Sequence, residues 1–95
     1  MELETENTIL HIRGTILSVS DFELIKAQIE SIKKNKEIVL KVYDSLVINS
    51  SLIGYLVKLI NQEGVVIKIQ AGQETLVELL TDIGLNQTFH VTPLH

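Results

Sequence analysis

From residue 37 onward the chain alternates short β-branched runs with stretches of helical periodicity, and this restricts the fold more than any other feature. "EIVLKVY" (37–43) and "VVIKIQ" (65–70) are short and rich in Val and Ile, which marks them as strands. Residues 50–63, and the segment "GQETLVELLTDIG" after the second strand, repeat apolar side chains at three- and four-residue intervals. Units of this kind join by right-handed crossovers and give a largely parallel region. "VVIKIQ" is nearly continuous in apolar character, the pattern of a strand covered on both faces.

The remaining segments extend this plan. In "TILHIRGTI" (8–16), Ile9, Leu10, Ile12 and Ile16 surround Gly14, which predicts two short strands meeting at a turn there. Ser20 and Glu23 have capping-box spacing, and Phe22, Ile25, Ile29 and Ile32 follow at helical intervals. A helix is therefore expected over about 21–34, with Lys33 and Lys34 at its cation-favouring end. Gly64 ends the second helix and Gly84 suits the position just past the third. "TFHV" (88–91) reads as a last strand limited by Pro93. The expected order is β-β-α-β-α-β-α-β: one α/β domain over residues 1–95, with a mixed sheet of four to five strands and three helices.

Composition narrows the function. A chain of 95 residues with 45% hydrophobic side chains can close one core. With no cysteine, neither a disulfide framework nor a thiolate metal site is available. A net charge of -4 argues against a nucleic-acid or anionic-membrane partner. The start, "MELETENT", is acidic and unlike a signal peptide, and no apolar run approaches the roughly 20 residues needed to cross a bilayer. The expected compartment is the cytoplasm, where the sequons at Asn49 and Asn86 are chance matches.

One junction is unusual. In "DSLVINSSLIGYL" (44–56) an apolar run passes through Asn49, Ser50 and Ser51 into a second one, with no Pro or Gly between. Asn49 or Ser50 is the expected N-cap, and capping alone accounts for the polar residues. A phosphoacceptor at the helix start accounts for them too, because free amides and the positive dipole end favour a phosphoryl group there. Leu52, Leu56, Leu59 and Ile60 centre the apolar face of this helix, and Ile53, Tyr55 and Val57 widen it to about 200°, against the stripe of about 100° that a surface helix needs. The extra width either lies under a neighbouring element or belongs to a partner surface.

These residues carry a resemblance to the STAS domain family, which includes the bacterial anti-sigma factor antagonists. "GTILSVSDFELIKAQI" resembles the family's glycine, short strand and first helix. "EIVLKVYDSLVINSSLIGYL" resembles its central strand and the Asp-Ser-Ser/Thr-Gly-Leu-Gly motif at the second helix, and "LVELLTDIGLNQTFHV" its closing pattern. The resemblance implies a non-catalytic module that binds an anti-sigma factor and is released when a partner kinase phosphorylates the motif serine. By position that serine is Ser50, with Ser51 beside it. The implied contact surface comprises Leu17, Ser18, Asn49, Ser50, Ser51, Leu52 and Tyr55. Three positions depart from the family pattern. Asn49 stands for the motif aspartate, Leu52 for the motif glycine, and Leu17 for an aspartate many antagonists carry in the first loop. STAS domains also serve as non-switching subunits of lipid-transport ABC systems and signalling assemblies, where Ser50 would be only a cap. Self-association through the same apolar surface is a third reading.

Other constellations point nowhere specific. His11, His90 and His95 have no i, i+4 pairing, so no metal or cofactor is expected. No Gly-rich phosphate loop or nucleophile elbow is present, and no catalytic residue is assigned. Asp44 reads as a loop residue, Asp82 as a last-turn residue and "KKNK" (33–36) as a solvated helix end.

Overall fold

The computed structural model describes residues 1–94; His95 lies outside them. The elements are β1 (Glu2–Glu6), β2 (Ile9–Arg13), α1 (Val19–Ile32), β3 (Glu37–Val42), α2 (Ser50–Glu63), β4 (Val66–Ala71), α3 (Glu74–Asp82) and β5 (Thr92–Pro93). A short 3-10 turn, Lys33–Asn35, links α1 to β3. The strands stand in chain order in one mixed sheet, with β1 antiparallel to β2 and every other pair parallel. The α/β class, the element order and the bounds of α2 agree with the sequence expectations.

Because each crossover steps in the same direction, right-handed connections put all three helices on one side of the sheet. Burial follows that geometry. Leu10 and Ile12, Ile38, Leu40 and Val42, and Ile67, Ile69 and Ala71 alternate into one core with Ile25, Ile29, Leu52, Leu56, Leu59, Leu76 and Leu80 from the helices. The intervening strand residues face the other way, and Val66 and Lys68 are exposed. The expectation that β4 is covered on both faces is thus corrected: among the described residues only one face of the sheet carries helices.

Three local expectations also shift. The hairpin turns at Asn7 and Thr8, with Asn7 in the left-handed region (φ 55°), rather than at Gly14. Its first strand hides in the acidic start because Leu3 is the only apolar and the only partly buried residue among Glu2, Leu3, Glu4, Thr5 and Glu6. Helix α1 begins two residues early: Ser18 caps it and Asp21 closes the capping box, in place of Ser20 and Glu23. Asp21 prevails because its carboxylate accepts from both the Ser18 and Leu17 amides, at 3.0 Å each. Residues 88–90 coil instead of forming a strand; Phe89 N–H donates to Leu85 O, and the paired strand is only Thr92–Pro93. Gly84, in the left-handed region (φ 79°), ends α3 in a Schellman motif: its N–H donates to Thr81 O and Leu85 N–H to Leu80 O.

Candidate functional site

The carboxyl ends of β2 and β3 lead into two loops, residues 14–18 and 43–49, which meet at the start of α2. Side chains from one loop satisfy the backbone of the other. Asp44 Oδ2 accepts from Gly14 N–H at 3.0 Å, and Ser45 Oγ accepts from Ile16 N–H at 3.0 Å. Ser45 is fully buried and donates its own proton to Val47 O at 2.6 Å. Asp21 holds the Leu17 and Ser18 amides; these bonds, Ser18 first and Leu17 second, lower its pKa below the usual aspartate value.

Asn49 is the hinge of the arrangement. Its backbone is extended, and Oδ1 accepts from Leu52 N–H at 2.8 Å as the N-cap of α2. Its amide nitrogen donates to Ser18 O at 3.1 Å across to the other loop. An aspartate would keep the cap but set an anionic oxygen against that carbonyl. The amide of Asn49 thus has a structural role that a carboxylate does not fill.

With Asn49 as the cap, the first two helical positions fall to Ser50 and Ser51. Both are exposed, and neither hydroxyl makes a hydrogen bond among the described residues. Four large apolar side chains stand exposed on the same two loops and the first residue of α1: Leu17 at 71%, Val19 at 67%, Leu46 at 49% and Val47 at 38%. They project from backbone that is tied at Gly14, Ile16, Leu17, Ser18 and Val47, so they are presented on a fixed frame rather than on a loose loop.

Of the seven contact residues expected from sequence, Leu17, Ser18, Asn49, Ser50 and Ser51 come together here. Leu52 does not join them: it is 0% exposed in the core, because the cap at Asn49 turns the third helical position under the helix. Tyr55 is half-buried and turned toward α1. Its ring meets Phe22 edge-on at 5.9 Å, its hydroxyl donates to Glu30, and the Lys26 ammonium lies 5.5 Å from the ring centre. Burial, then Glu30, raises the Tyr55 pKa above the ordinary tyrosine value. The wide apolar arc of α2 thus finds part of its cover on α1, and the exposed apolar area sits on the loops at its head. Val19, Leu46, Val47 and the stapling Ser45 carry no sequence signal that singles them out. "LVI" (46–48) reads as a buried run, yet only Ile48 of the three turns inward.

Two surface depressions lie elsewhere. One, of about 290 Å³, is lined by Glu2, Leu3, Glu4, His11 and Arg13. The other, of about 300 Å³, is lined by Ala71, Gly72, Glu74, Val77, Pro93 and Leu94. Among the described residues no group of three or more His, Cys, Asp or Glu side chains is placed to hold a metal ion. His11 bonds Tyr43 (2.8 Å) and Glu6 (3.3 Å), and His90 Nδ1 donates to Ile67 O (3.0 Å), so both of these imidazoles have local partners. No helix among the described residues is long and apolar enough to cross a membrane. No family model, curated protein or solved structure is detectably similar to the chain.

Proposed function

We propose that the chain is a STAS-like protein-binding module of the anti-sigma factor antagonist type, acting in the cytoplasm without catalysis of its own. Its partner, an anti-sigma factor or related kinase, docks on the loops around Leu17, Val19, Leu46 and Val47 and on the exposed start of α2. Phosphorylation of Ser50 releases it. The observation that carries this reading is the pairing of two free serine hydroxyls with four exposed apolar side chains on the hydrogen-bonded loops and the first residue of α1. Since Asn49 performs the capping, the fold has no need of a free Ser50 hydroxyl. A phosphoryl group of charge about -2 at that position leaves the helix intact and opposes burial of the neighbouring apolar side chains.

The test is mass spectrometry of the protein recovered with its native partners, followed by calorimetric titration of the protein against the anti-sigma factor or kinase so recovered. Ser50→Asp is expected to melt like the wild type and to bind about a hundredfold more weakly. Leu17→Ala removes much of one exposed leucine from the contact and weakens binding by roughly tenfold. Unchanged affinity in Ser50→Asp sinks the switch. The asparagine amide beside Ser50, where the family has a carboxylate, favours a second reading as a non-switching subunit of a transport or signalling assembly. In that case Ser50→Asp is silent and Leu17→Ala is not.

A further inference from the structure

A mostly parallel sheet usually has both faces covered, and this one presents a bare face among the described residues. Register fixes its layout. Glu6, Ile9, Val39 and Lys68 form one row across β1 to β4. Glu4, His11, Lys41 and Gln70 form the next, and Glu2 stands beside Arg13 in the third. Taken by strand, β1 is acidic throughout its outward positions, while the cations Arg13, Lys41 and Lys68 stand on β2, β3 and β4. The half-buried Ile9 and Val39 sit side by side between the two charge zones.

We propose that this bare face is the interface of a weak two-fold homodimer. A two-fold axis running along the strands between β2 and β3 lays β1 of one copy over β4 of the other, and β2 over β3, with the rows kept in line. Glu6 then faces the partner's Lys68, Glu4 lies diagonal to the same ammonium, and Ile9 meets the partner's Val39. Each contact occurs twice, as an isologous interface requires. Along the row Glu6, Ile9, Val39 and Lys68, this self-complementarity of charge, acid at one end of an apolar pair and cation at the matching place at the other, selects a second copy as the occupant. The ion pairs within one chain do not cancel it: Glu6–His11 is long at 3.3 Å, Lys68–Glu37 longer at 3.5 Å, and Lys41 has no ion-pair partner among the described residues. Four strands by four residues cover roughly 20 × 13 Å. That is well below the roughly 800 Å² per partner of a standard interface, which places the dimer among weak, transient associations.

Sedimentation equilibrium of the whole chain from about 10 µM to about 1 mM tests this. Concentration-dependent dimer is expected, weakened about tenfold or more by high salt. Glu6→Lys and Lys68→Glu each place like charges opposite one another and should be monomeric over that range. In an equal mixture of these two variants, both charged contacts of the mixed dimer again pair opposite signs, and association should return. Lys68→Ala, which sets no carboxylate beside Glu37, provides a variant of unaltered fold with intermediate affinity. Leu17→Asp, on the loops of the docking site, should leave association unchanged. A wild-type chain that stays monomeric at about 1 mM overturns the proposal. So does a dimer indifferent to the reversals, a mixture that fails to associate, or a dimer abolished by Leu17→Asp.

Discussion

At the scale of single residues, Asn49 has two duties that no other side chain performs together. Its oxygen caps α2 and its amide nitrogen holds the Ser18 carbonyl. Aspartate and serine both cap helices well, but neither donates across to that carbonyl as an amide does. Asn49→Asp and Asn49→Ser are therefore expected to lose about 1–2 kcal/mol of stability, and Asn49→Ala about 1 kcal/mol more because the cap goes too. Urea unfolding at constant m-value reads these differences directly. If Asn49→Asp unfolds at the wild-type midpoint, the tie between the loops contributes nothing. The cap is legible in the sequence, since a polar cluster precedes an apolar periodic run. The tie is not, because its partner is 31 residues away and only the fold brings it near. Ser45 is a harder case still. A serine between Asp44 and Leu46 has no local signal of burial, and it is tolerated inside because its hydroxyl accepts from the Ile16 amide opposite and donates to Val47 O.

Among the elements, α1 and α2 are joined at their surface by a chain of polar contacts. Tyr55 donates to Glu30, and the Lys33 ammonium bridges Glu30 at 3.1 Å and Glu63 at 2.9 Å. The hydrogen bond from Tyr55, then that from Lys33, lowers the Glu30 pKa; Glu63, then Glu30, raises that of Lys33. Signs follow. For Asp21 and Glu30 the folded chain holds its proton less readily than the unfolded one, so their contribution is present above the ordinary carboxylate pKa of about 4 and is lost as pH falls through the lowered values. For Tyr55 the folded pKa is raised, so its contribution is full below about pH 10 and is lost as pH rises through the raised value. Urea midpoints should fall at both ends of the pH range. Asp21→Asn should flatten the acid limb and Tyr55→Phe the alkaline one. A Tyr55→Phe curve parallel to the wild type above about pH 9 removes that bond from the account. Element type is easier to foresee than element edge. The bounds of α2 are legible because a polar cluster and Gly64 bracket its periodicity. The start of α1 is not, because Ser18 and Ser20 both offer a cap, and the choice rests on which acid reaches back to the loop amides.

For the whole molecule, the weakest closure lies at the β5 edge. That strand pairs only two residues with β4, and Pro93 contributes no N–H to the ladder. The core is sealed there mainly by Phe89, which is fully buried although its segment is neither helix nor strand. Its carbonyl accepts from Ile69 N–H at 2.9 Å, so the same residue plugs the core and continues the edge of β4. His90, in the left-handed region (φ 45°), then extends the cover by donating from its ring to Ile67 O. The short run from Thr88 to Val91 suggests a strand by composition, but the Phe89 ring must turn inward under the helices, and the coil from Asn86 to His90 achieves that. Phe89→Ala is expected to cost about 3–5 kcal/mol, against a total stability of about 5–15 kcal/mol for a domain of this length. Phe89→Leu should recover more than half of that loss. Hydrogen exchange separates global from local effects: if Phe89 closes the core for the whole sheet, Phe89→Ala lowers protection of β3 and β4 amides together. Loss confined to β5 and the end of β4 would make this edge an independent flap, and the single core would then end at β4.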